Sequence, residues 1–275
     1  MKQIKKIAIF FIFAFILIVA FNHVNAASDF DLEKLNFEAT LNSNGSMDVV
    51  ETWQVDIEGE TNTLFKTFEI DSSKYREITN VTVSEVENGH EKEFSQSFEW
   101  KNHVSTDYFH ALNYDGNFEI AWGVNKSTGT HVYKIKYTVK DVVSVYYDCA
   151  ELYWQFIGKD FEVPADEVTG TIKLPNAVEV IDNLRVWGHG QLNGEINRAD
   201  EKTIKFNMAP FITGTYLEVR VVILEPEMFI KVDKTSNKPM LQSIIDEETS
   251  EKVLSLVESL EDIDDVQAVY HNLEI

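Results

Sequence analysis

Met47-Asp48-Val49-Val50-Glu51-Thr52-Trp53-Gln54-Val55-Asp56-Ile57 is the stretch on which the fold class turns, with large apolar side chains at 47, 49, 53, 55 and 57. A period of two places alternate side chains on opposite faces of an extended chain, so this stretch reads as a strand with one buried face. Just upstream, Phe37-Glu38-Ala39-Thr40-Leu41 alternates in the same way and Asn44-Gly45 interrupts the two runs. Two half-buried strands joined at an Asn-Gly turn are the simplest reading.

Working outward, the same alternation returns in 79–86, in Phe94, Phe98 and Trp100, in Phe118, Ile120 and Trp122, and in His131, Tyr133, Ile135, Tyr137 and Val139. Asn88-Gly89, Asp115-Gly116 and Thr128-Gly129 separate these runs as turn signals. Beyond the aromatic stretch 152–157, further strands are expected at 168–174, 178–186, 203–208 and 216–224. Many short strands with no helix alternating between them predict a mainly β chain, an antiparallel β-sandwich rather than a parallel sheet. One sandwich, or two lobes crossing at 146–164, both satisfy the pattern.

The pattern changes after Pro226. Thr235-Ser236-Asn237-Lys238-Pro239 reads as a linker, and from Asp246 onward Val253, Leu254, Val257 and Leu260 follow helical spacing. Asp246 is the expected N-cap, Glu247 and Glu248 fill the first turn, and the helix is expected to end near Glu261 as a solvated helix docked loosely by one face. A short strand is expected at 266–270.

At the other end, Lys2, Lys5 and Lys6 precede an unbroken apolar run from Ile7 to Phe21, and Val24-Asn25-Ala26 supplies small residues for a peptidase. This is the order of a secretory signal. The apolar run falls short of the roughly 20 residues that span a bilayer, so cleavage after Ala26 is expected and membrane attachment only through an uncleaved signal. The chain then divides into a signal (1–26), an extracytoplasmic β domain (27–228), a linker (229–245) and an acidic helix-strand tail (246–275).

The formal charge is −22, and the signal takes three lysines and no acid with it, leaving −25. Such a surface repels phosphate backbones, so nucleic acid is not an expected partner. An extracytoplasmic protein or glycan is. A content of 44% hydrophobic and 12% aromatic residues suffices for a substantial core, and the single cysteine, Cys149, cannot form an intramolecular disulfide.

Two strings stand out as candidate sites. In Glu151-Leu152-Tyr153-Trp154-Gln155-Phe156-Ile157-Gly158, aromatic rings beside carboxylates suit a ligand-stacking groove, or else fill the core. In Trp187-Gly188-His189-Gly190-Gln191-Leu192-Asn193-Gly194, the glycines lack the spacing and lysine of a phosphate loop. Asn193-Gly194 reads as a hairpin turn, and Gly188 and Gly190 as allowing a bulge. The ligand-binding candidates are therefore Trp154, Glu151, Tyr153, Trp187 and His189. No catalytic set, metal site or cofactor is expected: HExxH, CxxC, GxSxG and Walker patterns are missing, and Glu261-Asp262-Ile263-Asp264-Asp265 lacks the ligand spacing of an EF-hand.

These strings also carry a resemblance. Asn44 to Glu51, Ile120-Ala121-Trp122-Gly123, Tyr133 to Tyr137, Glu151 to Gly158, Leu174-Pro175 and Trp187-Gly188-His189-Gly190 resemble the bacterial family known as domain of unknown function 2207. That resemblance implies an extracytoplasmic β domain, usually followed by transmembrane segments, and carries no catalytic residues over. The last thirty or so residues, through Lys252-Val253-Leu254, Asp264-Asp265-Val266-Gln267 and Val269-Tyr270-His271-Asn272, resemble the carboxyl end of YebC-type regulators. A chimeric join within Asp246–Thr249 is one reading of the pair. The function expected is a noncatalytic binding or structural module of the bacterial envelope. The alternatives are a glycan-active hydrolase using Glu151 or Asp148 and, from the tail alone, a gene-expression regulator.

Overall fold

The computed structural model describes residues 30–125 and 128–261. The expected signal segment and the strand expected at 266–270 lie outside the described residues. Among those described, the elements in chain order are β1 (Phe30–Leu41), β2 (Met47–Ile57), β3 (Thr63–Glu69), β4 (Glu77–Glu87), β5 (His90–Glu93), β6 (Ser95–Ser97), β7 (Tyr108–Tyr114) and β8 (Asn117–Gly123). There follow β9 (Gly129–Lys140), β10 (Val143–Val145), β11 (Ala150–Ile157), β12 (Ala165–Lys173), β13 (Leu184–Gly190), β14 (Gly194–Arg198), β15 (Thr203–Met208), β16 (Leu217–Ile223) and a helix, α1 (Leu241–Glu261).

The strands form an eight-stranded sheet, β14-β15-β12-β1-β2-β9-β4-β5, and two four-stranded sheets, β10-β11-β16-β13 and β3-β8-β7-β6. The period of two in 47–57 becomes β2, whose Met47, Val49, Trp53, Val55 and Ile57 face inward. Its pairing with β1 is antiparallel throughout, closed by a turn in which Gly45 takes φ +78°. Asn88-Gly89 and Asp115-Gly116 make the turns of the β4–β5 and β7–β8 hairpins, with both residues of each at positive φ, as a tight twisted hairpin requires.

The two smaller sheets cover the inner face of the large one. Trp53 on β2 meets Trp122 on β8 edge-on with ring centroids 5.3 Å apart, and Phe37 on β1 meets Phe156 on β11 at 5.0 Å. One hydrophobic cluster runs through all three sheets from Leu32 to Phe229. Glu51 occupies an inward position of β2 with no exposure. It accepts hydrogen bonds from Trp53 Nε1 at 3.0 Å and Tyr137 Oη at 2.6 Å, and pairs with the Lys66 ammonium arriving from β3. Lys66 also donates to the Phe156 carbonyl at 2.9 Å, tying the two smaller sheets together beneath the large one.

Several expectations are corrected. The sandwich is mostly antiparallel, yet β1 pairs with β12 in parallel, a distinction that alternation alone does not carry. The run at Phe94, Phe98 and Trp100 shrinks to the three residues of β6, with Phe98 84% exposed. The strand expected at 178–186 begins only at Leu184, because Val178, Ile181 and Leu184 recur every third residue and a 3-10 turn forms over Ile181–Asn183. Asn193-Gly194 is no hairpin turn: β13 lies in one sheet and β14 in another, and the corner is held by Gln191 and Asn193 amides donating to the Pro210 carbonyl. No bulge falls at Gly188 or Gly190, where β13 keeps register with β16 throughout. Within the expected linker, 229–245, residues 234–236 bond to β10, with Val145 N donating to Lys234 O and Ser236 N to Val145 O, each at 2.8 Å.

Gly170 on β12 leaves room for the Phe206 ring directly opposite, which itself packs on Phe37 and Phe156. An added Cβ would lie 2.0 Å from Phe206 Cζ. Gly170→Ala is expected to cost about 1–3 kcal/mol by overpacking, read as a lowered denaturant midpoint at unchanged m; a midpoint equal to wild type would show that the ring moves aside freely.

Candidate functional site

The β10-β11-β16-β13 sheet turns one face into the core and the other outward, and its register makes a grid of that outer face. Tyr153 on β11, Arg220 on β16 and Trp187 on β13 stand side by side in one row. Glu151, Val222 and Arg185 form the row on one side, and Gln155, Glu218 and His189 the row on the other. Because side chains alternate along a strand, Leu152, Trp154, Val219 and Val221 point the opposite way, into the core.

Helix α1 lies across this outer face. Its first turn is capped from another part of the chain: Met240 N and Leu241 N donate to the two carboxylate oxygens of Asp148, at 2.8 and 3.3 Å. Ile244 is fully buried with Cys149 and Val222 in a small apolar cluster that Tyr146, Trp187 and Leu241 flank. Glu248 and Glu251 follow Ile244 at four and seven residues, on the same helix face. The helix therefore begins five residues before the expected N-cap, and Asp246 instead accepts a hydrogen bond from Gln242 inside it. The reason is tertiary, since both the cap and the buried anchor come from residues far off in sequence.

Arg220 is the centre of the site, at 5% exposure. Its Nε donates to Glu151 Oε1 at 2.6 Å, and its Nη1 to Glu248 Oε1 and Glu247 Oε2, each at 2.9 Å. The guanidinium also sits 4.7 Å above the Tyr153 ring, a stacked cation–π contact. Burial works against its charge, yet the Glu151, Glu248 and Glu247 carboxylates hold it above its ordinary value. His189 places Nε2 3.3 Å from Glu248 Oε1 and Nδ1 3.0 Å from Glu251 Oε2. The Glu248 carboxylate foremost, with Glu251 and Glu218 adding to it, raises the imidazole above its usual value against an opposing effect of burial. Burial pushes Glu248 up, but His189 and Arg220 outweigh it and leave the carboxyl below its usual value. Burial, then Asp148 and Glu151, pushes the Cys149 thiol up to about 12, so it stays protonated and inert at neutral pH.

Four of the five sequence-predicted residues thus meet on one face: Glu151, Tyr153, Trp187 and His189. The fifth, Trp154, does not; it lies 5% exposed in the core against Phe68 and Tyr75, because its neighbour Tyr153 already takes the outward position. The carboxylates expected for a hydrolase are both engaged within the protein, Glu151 by Arg220 and by Tyr146 Oη at 3.2 Å, Asp148 by the helix amides. Sequence reading missed Arg220, although the signal was present: Glu218, Arg220 and Val222 share one parity within an otherwise apolar strand.

His189, Glu248 and Glu251 bring one donor atom each within 4.8 Å of one another. The two ring nitrogens face different carboxylates and Arg220 already holds Glu248, so the set is an ion-pair cluster rather than a ligand cage. Elsewhere, a polar hollow of about 360 Å³ between Asn44, Asp48, Arg76 and Lys140 collects none of the predicted residues.

Comparison with known proteins gives two family matches in succession. The family described as "Predicted membrane protein (DUF2207) N-terminal domain" matches residues 31–223. "TACO1/YebC second and third domain" matches 215–273, so the two overlap well before the join expected at Asp246–Thr249, and their succession fits a chimeric chain. A probable transcriptional regulatory protein of Borrelia duttonii (strain Ly) is 57% identical over 37 residues, covering 14% of this chain and 15% of that protein. One of Pseudomonas syringae pv. tomato (strain DC3000) matches to the same extent, so the chain spans about one-seventh of the length of these relatives. Among solved structures, native yeast LTA4 hydrolase aligns with 86% of this chain and 35% of its own at 12% identity and a TM-score of 0.48. An M1 zinc metallopeptidase from Deinococcus radiodurans aligns with 70% of this chain and 42% of its own at 10% identity and a TM-score of 0.37. Among the described residues, no helix is long and apolar enough to cross a membrane.

Proposed function

The chain belongs to the family described as predicted membrane protein (DUF2207) N-terminal domain, and on that premise we propose that it is a noncatalytic, extracytoplasmic module of the cell envelope. It binds a carboxylate-bearing protein segment through the outer face of the β10-β11-β16-β13 sheet. Family membership supports envelope association, and the lysine-led apolar segment at 1–26 supports export. The observation that carries the binding reading is Arg220, a desolvated guanidinium that takes two carboxylates from outside its sheet, Glu247 and Glu248, while stacked on Tyr153. A buried arginine flanked by aromatics is the composition of an interface anchor. In this chain α1 occupies the anchor.

The test uses a labelled peptide with the sequence of residues 239–261, titrated against the full chain. In wild type the tethered helix competes at an effective concentration on the order of millimolar and little peptide binds. With Glu247→Gln and Glu248→Gln weakening the tethered helix, saturable binding is expected. Adding Arg220→Gln should lower that affinity at least about tenfold, since unpairing a desolvated charge costs about 2–5 kcal/mol. Peptide affinity indifferent to Arg220 would remove the reading.

A further inference from the structure

We infer that His189 is a proton-dependent latch that holds α1 over the Arg220 face, so that loss of its proton frees the helix and bares the face. The regulatory meaning rests on the reading of that face as a binding surface; the latch itself rests on stereochemistry. A neutral imidazole offers one N–H and one lone pair, whereas the imidazolium offers two N–H groups. Both nitrogens of His189 confront acceptors of the same helix, Glu248 at 3.3 Å and Glu251 at 3.0 Å. Only the protonated ring carries an N–H toward both, and at Nε2 the attraction is that of an ion pair, since no hydrogen bond is made there. Once the proton leaves, one carboxylate faces a lone pair, and the buried Nε2 has no hydrogen-bond partner among the described residues.

The charges around the latch sharpen the effect. Glu247, Glu248 and Glu251 face it from α1, Glu218 and Arg220 from β16, and Glu151 with Tyr153 from β11. Without the imidazolium, five carboxylates remain around the Arg220 guanidinium, with Arg185 exposed two rows from His189 on β13, and the three on α1 are repelled by the two on the sheet. The direction of titration follows. Because the folded His189 value is raised, its contribution is complete below about 6.5, the value of an unperturbed histidine, and is lost as pH climbs through the folded value. Glu248 acts in the opposite sense: its folded value is lowered, so its contribution is present above its usual 4.5 and is lost only at more acid pH. Docking is therefore firmest in mildly acid solution and loosens as the medium turns neutral to alkaline. The Tyr153 hydroxyl is raised further by burial and Glu218 and takes no part in this range. Since residues 234–238 stay bonded along β10, the helix lifts from a fixed root.

Hydrogen exchange of the full chain, read by mass spectrometry from pH 5.5 to 8.5 and scaled for intrinsic exchange, tests this directly, with β2 and β9 amides reporting that the fold is intact. In wild type, protection of α1 is expected to fall at least tenfold over the range; in His189→Gln it should be low and flat. Flat protection in wild type overturns the latch, as does a pH dependence, or full protection, that survives in His189→Gln. Because no ligand is present, failure of peptide binding leaves this result standing, and flat exchange beside intact peptide binding rejects the latch alone.

Discussion

Lys66→Met is expected to lower the unfolding free energy by about 3–5 kcal/mol, because it strands the fully buried Glu51 carboxylate without a countercharge. In a chain of this size that corresponds to a melting temperature roughly 10 °C lower. The site shows why the loss is large. Glu51 stands in the apolar row of β2 opposite Phe37 on one side and Ile135 on the other, and the Lys66 ammonium lies 5.1 Å from the Phe37 and Phe68 ring centres. Burial foremost, and the Glu51 carboxylate after it, hold the Tyr137 hydroxyl well above its ordinary value. The double variant Lys66→Met with Glu51→Gln keeps an acceptor for Trp53 and Tyr137 while removing the stranded charge, and it is expected to recover most of the loss. Denaturant midpoints of the three proteins decide the matter: a single variant within 1 kcal/mol of wild type, on the order of a surface substitution, or a double variant as unstable as the single, contradicts the account.

Gly190→Ala carries the second large effect. Gly190 ends β13 at φ +127°, a backbone region that side chains rarely enter, and an added Cβ would lie 1.9 Å from the Tyr216 carbonyl oxygen. Conformational strain alone contributes about 1–3 kcal/mol, and the obstacle is backbone rather than a yielding side chain. A total near 3 kcal/mol or above is expected, together with faster exchange of α1 amides, since β13 must draw away from β16 beside His189. Gly188→Ala is the matched control: its Cβ meets only Ile196 at 3.5 Å, an ordinary contact, and φ is unremarkable. Calorimetry on the pair that finds equal melting temperatures would show the close approach at Gly190 to be unimportant.

Much of this was written locally. Alternation in 47–57 and 131–139 fixed two neighbouring strands and their inward faces, and Asn88-Gly89 and Asp115-Gly116 fixed two hairpins, because a period of two and a positive φ are properties of adjacent residues. Composition and the strings around Tyr153 and His189 also marked the surface that became the candidate site. What no local rule reached was which side faces the core in a strand with large side chains on both faces, such as β11, and which strands distant in sequence lie together. Tyr153 and Trp154 are sequence neighbours of similar character, yet one stacks under Arg220 and the other is core, a choice made by the sheet packed behind them. The parallel pairing of β1 with β12, the Lys66–Glu51 pair, the cap of α1 by Asp148 and the joining of Arg220 to Glu151 and Glu248 all link residues distant in sequence. By itself the sequence determined a β-sandwich with an aromatic core; only the tertiary structure decided where its buried charges meet, because the partner that makes such a charge tolerable comes from a strand or helix brought alongside by folding.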